Sequence, residues 1–168
     1  MLQRSIQGFR PVPPEGASNE ALSIECSSAL VPSPPNDLGS ESAMIRVLVV
    51  DDNQEFRGAV RDLLEGDLQI RVVGEACDGL QAISLTAHLQ PDLILMDIAM
   101  PLMNGLEATS AIRERWPKVI VILVTAIPSN SYQQISDRCG ANAFLPKEEM
   151  GSRLISTMHR LACATLPG

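Results

Sequence analysis

From residue 45 onward the chain alternates short apolar runs with segments of helical period, and this alternation limits its fold more than any other feature. Ile45–Val50 is an apolar run that ends at Asp51 and Asp52. Asn53 then suits a helix N-cap, with Phe56, Val60, Leu63 and Leu64 recurring behind it at a 3.6-residue period. Ile70–Ala76 reads as a second strand, and Asp78-Gly79 opens an amphipathic segment through Ile83 and Leu89. Leu93 to Met96 is a third apolar run, ending at Asp97, and Gly105–Arg115 is a helix stopped by Pro117. Residues 119–124 form the most hydrophobic run, ending at Thr125. A fourth helix is predicted over 130–138 with Gly140 as its C-terminal cap, then a strand over 141–145 ending near Lys147. The last helix is predicted over 148–163, with Met150, Leu154, Met158 and Leu161 on one face. Runs one, three and four are apolar almost throughout, as strands are when helices cover both faces of a parallel sheet. Five βα units predict an α/β, doubly wound, five-stranded parallel sheet with five helices.

The first 43 residues have a different character. They hold six of the twelve prolines and eight serines, and their charges sum to −3. Too few apolar side chains are present to offset the entropy of ordering, so 1–43 reads as a disordered, Pro/Ser-rich extension and 44–168 as the folded domain. Met44 directly precedes the first strand and is itself a natural place for translation to start.

Composition excludes several classes. The chain has 168 residues, 13 Lys and Arg against 20 Asp and Glu, and a net charge of −7. An acidic surface does not gather phosphate backbones, and an aromatic content of 3% provides no platform for stacked bases. Direct contact with nucleic acid is therefore not expected. No apolar run approaches the roughly 20 residues needed to cross a bilayer. The four cysteines, Cys26, Cys77, Cys139 and Cys163, are scattered singly, which suggests reduced packing residues in a cytoplasmic protein. His88 and His159 read as surface residues of helices.

The chemistry gathers at the strand ends. A parallel sheet brings together the carboxyl ends of its strands, and these carry Asp51 and Asp52, Asp97, Thr125 and Lys147. Three carboxylates in one place repel and need a cation. All-oxygen ligands suit a hard divalent ion such as Mg²⁺. A carboxylate can act as a nucleophile and form an acyl phosphate, with the lysine paired to the phosphoryl group and the threonine donating to it. The set fits phosphoryl transfer onto an aspartate better than hydrolysis. A haloacid-dehalogenase-type phosphatase would need Asp-x-Asp after the first strand, and a dinucleotide-binding enzyme would need G-x-G-x-x-G; both are missing, as is a P-loop.

Four segments then carry a resemblance. Val47-Leu-Val-Val-Asp-Asp-Asn, Met96-Asp-Ile-Ala-Met-Pro-Leu-Met-Asn-Gly-Leu-Glu-Ala-Thr, Val124-Thr-Ala and Gly140-Ala-Asn-Ala-Phe-Leu-Pro-Lys closely resemble the receiver domain of two-component response regulators. The wording is most similar to receivers of LuxR/NarL-type regulators. The resemblance covers about 44–163 and implies a flavodoxin-like strand order of 2-1-3-4-5. It further implies that Asp97 is the phosphoacceptor, that Asp52 is a direct ligand of Mg²⁺ and that Asp51 acts mainly through water. The backbone carbonyl of Ala99 would complete the protein ligands. Thr125 and Phe144 stand at the switch positions and Lys147 at the phosphate-pairing position. Many relatives have Pro directly after this lysine; here Pro146 precedes it and Glu148 follows. Ala99 and Ile127 lie two residues after Asp97 and Thr125. Both are apolar and cannot orient water, which predicts slow loss of the phosphoryl group. The resemblance implies a histidine kinase or phosphotransfer protein as donor, a homodimer or downstream protein as target, and no enzymatic activity beyond the domain's own phosphorylation and dephosphorylation. A receiver-like interaction module that is never phosphorylated is the alternative. Only 21 residues follow Lys147, about one helix, so no DNA-binding element fits there; the chain reads as a stand-alone receiver or as part of a transcription regulator.

Overall fold

The computed structural model describes residues 44–126 and 139–165. The tail over 1–43, Ile127 and the helix predicted over 130–138 lie outside the described residues. Five strands, β1 (Ile45–Val50), β2 (Ile70–Ala76), β3 (Leu93–Asp97), β4 (Ile120–Thr125) and β5 (Ala143–Pro146), form one parallel sheet in the order 2-1-3-4-5. Helices α1 (Gln54–Leu64), α2 (Gly79–Leu89) and α3 (Gly105–Arg115) follow β1, β2 and β3. A 3₁₀ turn over Lys147–Glu149 leads from β5 into α4 (Met150–Thr165).

The strands are apolar on both faces because each face has its own helical cover. On one side Val47, Val49, Leu95, Ile122 and Val124 pack with Val60 and Leu64 of α1 and with Met150, Leu154 and Met158 of α4. On the other, Leu48, Val50, Ile94, Met96 and Leu123 pack with Ala82 of α2 and with Ala108 and Ile112 of α3. Successive strand residues thus alternate between two cores, the period of two expected of β structure. The β1–β2 register shifts between Val47 and Leu48.

Local chemistry sets where the helices start. The Asn53 side chain accepts from the backbone N–H groups of Glu55 and Phe56, Asp78 accepts from Gln81, and Asn104 forms a capping box with Glu107. Gly140 lies at φ +80°, a left-handed conformation that favours glycine. The structure differs from the sequence reading mainly at boundaries. β4 begins and ends one residue later than predicted, and β5 begins two residues later, leaving Ala141 and Asn142 as a connector held by the Asn142 N–H on the Val121 carbonyl. The last helix starts at Met150, since the 3₁₀ turn occupies the three residues before it. Its fourth fully packed position is Ala162, one residue past the expected Leu161, which is only partly buried.

Candidate functional site

The carboxyl ends of β1, β3, β4 and β5 bring the predicted residues to one edge of the sheet. Asp51 and Asp97 are buried, Asp52 is exposed, and one carboxylate oxygen from each lies within 4.8 Å of the others. Asp51 receives the Asn53 backbone N–H on Oδ1 at 2.9 Å and the Lys147 ammonium on Oδ2 at 2.5 Å. Asp97 receives Lys147 on Oδ1 at 3.0 Å and the Ala99 backbone N–H on Oδ2 at 3.0 Å. Lys147 comes from the end of β5, 96 residues along the chain from Asp51. The sequence placed these four side chains together, and the fold does so.

The ionisation behaviour follows from burial and pairing. Removal from water raises Asp97 above the ordinary carboxylate range; Asp51 adds to this, while the bond from Lys147 opposes it. Burial alone would lower Lys147, but its bonds to Asp51 and then Asp97 reverse this and hold it above its usual value. The lysine therefore stays charged at neutral pH, and burial disfavours the anion of Asp97.

Thr125 is buried at the end of β4, one residue beyond Val124, which is the register partner of Asp97. Phe144 is half-buried in β5, opposite Leu123, and packs on the α2–α3 side of the sheet. Ala99 is exposed in the loop after β3.

Sequence reasoning missed several supporting residues. Arg57 is 4% exposed; its Nη1 donates to the Asp51 backbone carbonyl at 2.7 Å and its Nε to Glu75 Oε2 at 3.0 Å. Arg61 completes this network on Glu75 Oε1 at 2.6 Å. The arginine thus clamps the backbone of an acidic residue from behind, and Glu75 compensates its buried charge. The Phe56 ring lies under the lysine, with Nζ 4.1 Å from its centroid. Gly105 provides close packing, since a Cβ there would lie 1.9 Å from the Asp97 carbonyl oxygen. The helical period of α1 could have flagged Arg57, a polar residue next to an apolar stripe; nothing local could have flagged the contacts of Arg61, Glu75 and Phe56.

The donor set suits a hard divalent cation: three carboxylates in mutual reach, no sulfur and no imidazole. The described residues include no helix long and apolar enough to cross a membrane.

Comparison with known proteins identifies the arrangement. The family description "Response regulator receiver domain" matches residues 47–159, most of the chain. The chain belongs to the response regulator receiver family. Over 125 residues this receiver is 39% identical to the protein-glutamate methylesterase/protein-glutamine glutaminase of a Nocardioides species, a match covering 73% of this chain and 34% of that protein. Over 118 residues it is 36% identical to the transcriptional regulatory protein DegU of Brevibacillus brevis, covering 70% of this chain and 50% of that one. The solved response regulator domain of Thermotoga maritima CheB is similar with a TM-score of 0.67 and 32% identity, across 74% of this chain and 99% of that one. The chain spans about a third to a half of the length of these curated relatives.

Proposed function

We propose that this receiver accepts a phosphoryl group on Asp97 from the phosphohistidine of a histidine kinase or phosphotransfer protein. The observation that carries the reading is Lys147, whose ammonium bridges Asp51 and Asp97 at 2.5 and 3.0 Å at the sheet edge where ligands of such folds bind. A buried carboxylate fixed by an ammonium and by the Ala99 N–H is oriented for attack. An Asp97 carboxylate oxygen forms the new bond to phosphorus as the donor's P–N bond breaks. The imidazole leaves with the bonding pair and takes a proton from solvent. Lys147 then pairs with the phosphoryl oxygens, and the Thr125 hydroxyl donates to one of them.

Asp51, Asp52 and Asp97, with the backbone carbonyl of Ala99, would hold Mg²⁺. When bound, the ion supplies positive charge that screens the carboxylates and the incoming phosphoryl group. Thr125 and Phe144 pass the new charge to the β4–β5 edge, which changes its fit to a downstream protein or to a second copy. The domain catalyses only its own phosphorylation and dephosphorylation, in the cytoplasm. Its output is that of a stand-alone receiver or of a LuxR-type transcription regulator.

The test is incubation of the full chain with acetyl phosphate and Mg²⁺, read by intact mass. The reading expects one phosphoryl adduct, lost in Asp97→Asn. An unmodified wild-type chain would instead support an interaction module that is not phosphorylated.

A further inference from the structure

Lys147 has three N–H donors on a flexible four-carbon stem, and two carboxylates take two of them. Its third neighbour is a ring. Phe56 stands in the first turn of α1, where its N–H is fixed by the Asn53 cap at 3.1 Å and its side chain packs against the α1–α4 core. The Lys147 nitrogen lies 4.1 Å from the ring centroid, well inside the roughly 6 Å range of a cation–π contact. The ring is therefore held by the core on one side and meets an ammonium on the other.

The chemistry of the site makes this contact useful. Asp51 binds the lysine tightly in the structure, yet Asp51 also belongs to the carboxylate group suited to a cation. An ammonium that gives up Asp51 needs another partner, or its long stem will let it swing into water. A fourth carboxylate would hold it but would add to the repulsion already present. An aromatic face attracts the ammonium without adding net charge and without competing as an anion for the cation or the phosphoryl group. Lys147 is 20% exposed at its side chain, so this attraction is only partly screened.

We propose that Phe56 is a positioning residue, which keeps the Lys147 ammonium at the phosphoacceptor through the face of its ring. This rests on the assignment of Asp97 as phosphoacceptor. The ring touches neither the reacting atoms nor the donor; it acts through the lysine.

The test uses the full chain with acetyl phosphate and Mg²⁺, with Phe56 replaced by mono-, di- and trifluorophenylalanine. Fluorination drains the ring face while nearly conserving shape. The logarithm of the phosphorylation rate should fall stepwise along the series. The total loss should be about five-fold, the size expected of one such contact. Phe56→Leu should lose a similar factor and Phe56→Trp should retain the rate. In a Lys147→Gln background the series should have no effect, since the coupling runs through the lysine. A second readout needs no cation: the Lys147 ε-methylene protons should be shifted upfield by the ring in wild-type protein and return to ordinary values in Phe56→Leu. A flat rate across the fluorinated series, with Phe56→Leu still impaired, would show that the ring only packs and would overturn the proposal. Failure of wild-type protein to form any adduct would overturn the phosphoacceptor assignment and this proposal with it.

Discussion

Gly105→Ala isolates the fit between α3 and the phosphoacceptor. Gly105 is buried at the first position of α3, and its N–H donates to the Ile98 carbonyl at 3.0 Å. A Cβ built there falls 1.9 Å from the Asp97 carbonyl oxygen, 2.9 Å from the Asp97 carbonyl carbon and 3.1 Å from the Ile98 Cα, whereas real Cβ atoms essentially never approach closer than 3.0 Å. The first gap must open by 1.1 Å, and every atom in the way is backbone. β3 cannot yield easily, since it is paired on both edges and Asp97 sits in register with Val124. The start of α3 and its capping loop must move instead. Alanine is the better helix former by about 1 kcal/mol, and overpacking of this kind costs about 1–3 kcal/mol. A backbone overlap of this size belongs at the upper end of that range, so a net loss on the order of 2 kcal/mol and a melting point lower by roughly 6–12 °C are expected. A shift of about 1 Å beside a reacting group can cost up to 10²-fold in rate, so phosphorylation by acetyl phosphate should slow by at least ten-fold. Thermal unfolding by circular dichroism and the initial rate of adduct formation check both numbers. A variant with wild-type melting point and rate would refute the claim that close backbone approach at Gly105 sets the geometry of Asp97.

Other outcomes follow from the same geometry. Asp97→Asn removes a carboxylate whose anion burial disfavours and should stabilise the metal-free protein at pH 7 by about 0.5–2 kcal/mol, the usual size of a single stabilising substitution. Burial raises Asp97, so the native state binds its proton more tightly than the unfolded chain, and stability falls as pH rises from 3.8 through the folded value. The advantage of Asn should accordingly vanish below pH 3.8 and grow toward neutrality in urea titrations; an advantage that shrinks with rising pH would contradict the sign. Leu154→Ala removes a side chain with 0% exposure from the α1–α4 core and should cost about 2–5 kcal/mol in urea unfolding. Little loss there would mean that α4 is not packed as described. The phosphorylated protein, once freed of donor, should keep its adduct for many minutes, because Ala99 offers no polar group to orient water; a half-life of seconds by intact mass would oppose this.

The strand-end chemistry was legible because it depends on little besides the order of the strands. Once five apolar runs are assigned to a parallel sheet, Asp51, Asp97, Thr125 and Lys147 reach one edge whatever the details of packing. Contacts that depend on register and helix rotation were not legible. The clamp of Arg57 on the Asp51 carbonyl needs the rotation of α1 against β1 and the position of Glu75 on β2. His159, read as a surface residue, bonds Asp67 at 2.8 Å across 92 residues, and this bond holds the Asp67 carboxyl below its usual range. Leu102 has a left-handed φ of 65° and is 82% exposed, a backbone state that its residue type does not announce. The closeness of Gly105 to Asp97 likewise comes from the distance between two backbones, which glycine permits but does not specify.

The central claim is that Asp97, among three neighbouring carboxylates, takes the phosphoryl group. Sodium borohydride reduces an aspartyl phosphate to homoserine and leaves free aspartate unchanged. Protein treated with acetyl phosphate and Mg²⁺, reduced in this way, digested and sequenced by mass spectrometry should carry homoserine at position 97 and aspartate at 51 and 52. Homoserine at position 51 or 52, or at none of the three, would contradict the account.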